Sequence, residues 1–133
     1  MQQQSKRTYF KGDRPEQRSY SRAVKTPGKT TIYLAGVGAA EDESGKSLAN
    51  DFDAQVRASF RRIGTTLEEA GARLGDIVTM TVFIVDMANG DRFVELRKEF
   101  FENYPGSALI GVKELARPEM MVEIQAIAVI DED

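Results

Sequence analysis

MVEIQAIAVI, residues 121–130, alternates along its whole length. Val122, Ile124, Ala126, Ala128 and Ile130 fall on one face. Glu123 and Gln125 fall on the other, between Met121 and Ile127. Side chains of a strand point alternately to its two sides, so this period of two predicts a strand with one side in a core. Upstream, IVTMTVFIV at residues 77–85 follows Asp76 and is rich in β-branched residues. Val78, Met80, Val82 and Ile84 are its expected core face. Ile77, Thr79, Thr81, Phe83 and Val85 form a mixed second face.

The stretch before this second strand changes period. Phe52, Val56, Phe60, Ile63, Leu67 and Ala70 recur at spacings of three and four, which predicts a helix of about five turns. Asn50 or Asp51 caps its start, and Gly71 supplies a left-handed stop. Between the two strands, a second helix is expected from about Ala88 to Tyr104, burying Phe93, Leu96 and Phe100 and ending at Pro105-Gly106. Shorter strands are expected at Tyr20–Lys25, Thr31–Gly36 and Ser107–Val112. Pro27-Gly28 reads as a turn, and residues 39–47 (AAEDESGKS) as a loop.

This order predicts an α+β domain, a mixed sheet carrying two helices on one face. Two helices cover one side only, yet several strands are apolar on both. The uncovered side needs a partner, most simply another copy of the chain. Thr79, Thr81, Glu123 and Gln125 then lie in or near an intersubunit space.

At 133 residues the chain fits one domain that can bury roughly two-thirds of its unfolded surface. Hydrophobic residues make up 41% and charged residues 29%, an ordinary globular balance. No apolar run is long enough for a membrane helix, and the start has no secretory h-region, so a cytoplasmic location is expected. Cys and His are both absent. That removes disulfides, Cys/His zinc sites and triads built on Ser-His-Asp or Cys-His. No metal or cofactor is expected. Acid–base chemistry falls to Asp, Glu, Lys, Tyr, the termini or water.

Charge is unevenly placed. Residues 1–30 carry eight basic side chains against Asp13 and Glu16, a net +6, which leaves −9 for the rest of a chain of net charge −3. Residues 1–17 are therefore read as a polar basic leader, partly ordered, ahead of a single domain at 18–133. Such an arm can touch nucleic acid. The basic residues are not interleaved with several stacking aromatics, which favours a solvated arm that pairs with acidic surface. Two phosphate-loop fragments fail. GVGAAE at 36–41 lacks a third Gly and a helix to open. GKS at 45–47 follows Glu41, Asp42 and Glu43, which repel phosphate.

Three stretches, in order, carry a family resemblance. Tyr20-Ser21-Arg22-Ala23-Val24 followed by IYLAG, Gly75-Asp76-Ile77-Val78 running into TVFIVDM, and MVEIQAIAV together resemble the RidA (YjgF) superfamily across about residues 18–130. The resemblance implies a chorismate-mutase-like fold and a homotrimer, whose sheets form a central barrel with clefts between subunits. Many members hydrolyse reactive enamines and imines, such as 2-aminoacrylate, to a keto acid and ammonia. Their Pro-Ala-Arg-Ser segment supplies an Arg for the substrate carboxylate. Here the segment is Pro105-Gly106-Ser107-Ala108, and that Arg is absent. The helix Asn of the family corresponds to Val94, and the Ser before Gly36 to Ala35. Tyr20 and Glu123 are retained. The pattern is that of a divergent branch.

Arg117, held before Pro118, is available as a replacement fork for an anion, or is an exposed loop residue. Glu123 either activates a hydrolytic water or is a carboxylate bonded across subunits. Tyr20 bonds the substrate or closes the cleft wall. The expected catalytic residues are thus Glu123 and Tyr20, with Arg117, Ser107, Ala35, Gly36 and Val94 around an anionic small molecule. Backbone amides near Gly36 or Ser107 would stabilise developing charge. A metabolite-binding trimer without turnover is the alternative, and RNA binding or cleavage a weaker one.

Overall fold

Asp51 accepts a hydrogen bond from the Ala54 amide at 3.1 Å and so starts the long helix at Phe52. The computed structural model describes residues 6–12 and 15–131; the outer parts of the expected leader, 1–5 and 13–14, and residues 132–133 lie outside them. Its elements are β1 (Thr8–Phe10), α1 (Pro15–Arg18), β2 (Ala23–Lys25), β3 (Thr30–Tyr33), α2 (Phe52–Glu69), β4 (Ile77–Ile84), α3 (Gly90–Arg97), β5 (Gly106–Gly111) and β6 (Val122–Ile130). Gly71, at φ +82°, ends α2 as expected; the Gly71 and Ala72 amides return to the carbonyls of Glu68 and Leu67. Ala70 caps this end and is exposed, outside the buried stripe.

Four strands form a sheet in the order β3-β6-β4-β5. β4 and β5 run parallel, joined through α3, while β6 runs antiparallel to β3 and β4. The fold is α+β, with both helices on one face of a mixed sheet. Val56, Phe60, Ile63 and Leu67 of α2 and Phe93 and Leu96 of α3 pack on Met80, Val82, Ile84, Val122, Ile124, Ala126, Ala128 and Ile130. Arg57–Glu99 and Arg92–Asp53 ion pairs, at 2.7 and 2.6 Å, tie α2 to α3 and the turn after it. Among the described residues, no helix is long and apolar enough to cross a membrane.

Three local features depart from the pattern read in the sequence. The β4–β6 register passes from Ile77↔Ala128 to Thr79↔Ile127, so Val78 is an extra residue. Such a bulge exchanges the faces on either side of it. Ile77, 2% exposed, therefore belongs to the core, and Val78 does not. The second helix stops at Arg97, well short of Tyr104. Beyond it the amides of Lys98, Glu99 and Phe100 bond three residues back. This tighter winding turns both Phe100 and Phe101 onto Phe60, with ring centroids 4.7 and 5.7 Å away. The leader docks on the domain: its β1 pairs with β2, and Arg7 donates to the carbonyls of Gly75, Asp76 and Val129.

Among the described residues, nothing covers the other side of the sheet. Thr31 and Tyr33, then Val129, Ile127, Gln125 and Glu123, then Thr79, Thr81 and Phe83, then Ala108 and Ile110 share it by register. Tyr33 is 78% exposed and Ile110 42%. This is the half-apolar face that the sequence predicts to need a partner.

Candidate functional site

Glu123 stands on the open face of β6, opposite Phe83. It is half-buried because the chain leaving β3 stays beside β6. The Leu34 amide bonds the Ala126 carbonyl and the Val37 amide bonds that of Ile124, so Ala35 and Gly36 together face Gln125 alone. This bulge brings Gly36 against the Glu123 carboxylate, and a Cβ added at Gly36 would overlap that carboxylate. Glu123 has no hydrogen-bond or ionic partner among the described residues, so its oxygens remain free for water or a ligand. We expect Gly36→Ala to push the carboxylate aside, since the end of a flexible side chain can yield. Thermal stability should change little, and any reaction that uses this carboxylate should slow at least about ten-fold; parallel melting and rate measurements check this.

A second group gathers where residues 18–21 cross the start of β5. Ser19, at φ +56°, is buried and donates from its hydroxyl to the Val94 carbonyl at 2.7 Å. The Ser21 amide bonds the Pro105 carbonyl at 2.9 Å and its hydroxyl bonds that of Tyr104 at 2.5 Å. Two pinned serines thus flank Tyr20, which is half-buried, and Ser21 pairs with Gly106 at the start of β5. Val94 itself is 2% exposed, with its side chain in the interior.

Arg97 lies under this group and is 1% exposed. Its guanidinium donates to the Ser19 hydroxyl at 3.1 Å, the Arg18 carbonyl at 3.0 Å and the Ser107 hydroxyl at 2.5 Å. It also lies 3.8 Å from the Met80 sulfur and 5.1 Å from the Phe93 ring centre. Among the described residues, no carboxylate pairs with it. Burial, reinforced by the nearby Arg18 charge and opposed by Tyr104, pulls its pKa down to about 10. It stays charged at neutral pH. The readable signal for this residue was its position: Arg97 follows Phe93 by four, on the buried stripe of the helix.

Arg117 lies apart, in the connection from β5 to β6. It is about half exposed and bonds the Glu119 carboxylate at 3.2 Å. Gln55 of α2 fixes this connection, donating to the carbonyls of Leu48 and Glu119 and accepting from the Met121 amide. One protomer therefore joins Glu123 with Ala35 and Gly36, and separately joins Ser19 and Ser107 through Arg97, with Tyr20 next to Ser19 in the chain. Ser107 sits beside Met80, and Glu123 beside Phe83. That places them roughly 10 Å apart along β4, on opposite faces of the sheet. A cleft of about 540 Å³ between α2 and the residues after α3 is lined by Phe60, Arg61, Leu74 and Phe100. None of the residues expected from the sequence lies in it. In the leader and the loop after β2, Arg7, Lys11, Arg18 and Lys29 all have protein partners.

Comparison with known proteins places these features in a wider set. The family model described as endoribonuclease L-PSP matches residues 12–130. A RutC family protein of Pyrococcus abyssi is 32% identical over 110 residues, covering 82% of this chain and 84% of that protein. A 2-iminobutanoate/2-iminopropanoate deaminase of Dermatophagoides farinae is 27% identical over 113 residues, covering 84% of this chain and 86% of the relative. Among solved structures, a Rid-family protein of Yersinia pestis superposes with a TM-score of 0.78 at 24% identity, covering 94% of this chain and 99% of that one.

Proposed function

Because the chain belongs to the endoribonuclease L-PSP family, which includes the RidA (YjgF) proteins, we propose that it hydrolyses a reactive imine or enamine in clefts formed where three copies meet. The observation that carries this reading is Glu123: a half-buried carboxylate without a partner among the described residues, backed by Gly36, on the open face of the sheet. A relative named as an imine deaminase supports the reaction class.

An enamine first takes a proton at carbon and loses one from nitrogen, which gives its imine. Glu123 holds a water and accepts one of its protons as the oxygen bonds to the imine carbon. The proton passes to nitrogen to give a carbinolamine; its hydroxyl proton is then carried to the same nitrogen, the carbon–nitrogen bond breaks as the carbonyl forms, and ammonia leaves. Tyr20 bonds the substrate from the second group of residues. Backbone amides beside Gly36 or Ser107 stabilise developing charge, Ala35 borders the site while Val94 is buried behind it, and Arg117 is one available cation for an anionic end. The separation of Glu123 from Tyr20 within one protomer favours a site shared between neighbours. Generating 2-iminopropanoate in situ should give ammonia faster than the spontaneous reaction. An uncatalysed rate across a panel of unstable imines and enamines would overturn the assignment.

A further inference from the structure

The cleft of about 540 Å³ between α2 and the residues after α3 belongs to the helix layer, on the other side of the sheet from Glu123. Its volume is that of a small-molecule site. Aromatic rings form its floor. Phe60 closes the bottom, and the half-buried Phe100 stands over it with ring centroids 4.7 Å apart. A partly open ring backed by another is a surface on which a third can stack.

A glycine deepens the cleft. Gly64 lies inside α2, where glycine is the least favourable residue after proline. Packing does not require it. Its φ is not positive, and an added Cβ would meet only the Leu74 side chain, at 3.6 and 3.7 Å, an ordinary contact. What the missing side chain provides is space in the wall of the cleft.

Opposite charges stand on either side of that gap. Arg61 precedes Gly64 by three residues and Glu68 follows it by four, so all three share one helix face. Both side chains line the cleft and are exposed, and neither has a hydrogen-bond or ionic partner among the described residues. They are too far apart on the helix to pair readily, about 10 Å along its axis. Elsewhere on this layer opposite charges do pair, as in Arg57–Glu99 and Arg92–Asp53. Arg73, Glu43 and Glu102 complete a rim that carries both signs. A ligand that matches this arrangement has a ring, an anionic group and a cationic group.

We propose that this cleft binds an aromatic amino acid, with its ring on Phe100, its carboxylate on Arg61 and its ammonium group on Glu68, across the gap at Gly64. The site is separate from the open sheet face. It goes beyond the hydrolytic reading and does not depend on it.

The test is calorimetric titration of the full-length protein with L-phenylalanine. Binding should saturate at one ligand per chain, with Kd below about 1 mM. L-leucine, which lacks the ring, 3-phenylpropanoate, which lacks the ammonium group, and 2-phenylethylamine, which lacks the carboxylate, should each bind at least about ten-fold more weakly. Arg61→Gln should weaken L-phenylalanine at least about five-fold and leave 2-phenylethylamine unchanged. Glu68→Gln should weaken it as much and leave 3-phenylpropanoate unchanged. Both positions are exposed, so the fold survives either exchange. Gly64→Ala should keep or raise the melting temperature, since alanine suits a helix better, while the filled gap weakens binding at least about five-fold. No saturable binding at millimolar concentration would overturn the proposal, as would binding that Arg61→Gln, Glu68→Gln and Gly64→Ala all leave intact. Binding lost in Glu123→Gln would place the amino acid on the open face instead and overturn it too. Imine hydrolysis without amino-acid binding would remove this site alone, and binding without hydrolysis would remove only the hydrolytic reading.

Discussion

Glu123→Gln should slow imine hydrolysis by about 10²–10⁴-fold, the usual worth of a positioned general base, while the protein stays folded and assembled. Gln keeps the size and one oxygen of Glu123 but cannot take a proton from water. The side chain has no ion pair to lose among the described residues, so the change in stability should remain within roughly 0.5 kcal/mol. Its contact with Gly36 survives the exchange. Ammonia release at saturating substrate, measured beside a melting curve, separates the two effects. Full turnover by Glu123→Gln would remove the carboxylate from the chemistry. A collapse of stability in step with the rate would make it a structural residue.

Ile127→Asp should give a folded single protomer without turnover. Ile127 lies on the open face of β6, beside Tyr33 of β3 and Thr79 of β4. It is half-buried in the protomer, so an isolated chain can hydrate an aspartate there. If the same face closes against sister copies, each copy carries a carboxylate into the closed space. Burying an unpaired charge costs several kcal/mol, and the ring repeats that cost at every copy. Circular dichroism should match wild type while the sedimenting mass falls to that of one chain. An assembly that survives this substitution with its activity would mean that the copies meet elsewhere, or that this face stays wet.

The layers of the fold were legible because period and burial agree. MVEIQAIAVI places the same five side chains in the core that its alternation assigns to one face. The long helix begins and ends at the cap and the glycine that the sequence offers. Misreadings arose where one residue or one turn shifts the phase. A bulge at Val78 is invisible to a strict period of two, and it exchanges Ile77 for Val78 in the core. The early end of α3 is decided by Phe100 and Phe101 both docking on Phe60, a tertiary preference that helix periodicity does not contain. For the proposed site, sequence order offers Glu123, Gly36 and Tyr20 as candidates but not their spacing. Gly36 meets Glu123 through a bulge, while Tyr20 is fixed far along β4 by bonds from its neighbours. Arg97 escaped because charge on a helix is ordinarily solvated. Its place on the apolar stripe was the contrary sign.

The claim on which all of this depends is that the helix-free face of the sheet closes against further copies of the chain and so brings the Glu123 group of one toward the Tyr20 group of another. Sedimentation equilibrium of the wild type at micromolar concentration tests it most directly. The account predicts a mass three times that of the protomer. The mass of one chain across the concentration range, with imine hydrolysis intact, would contradict it.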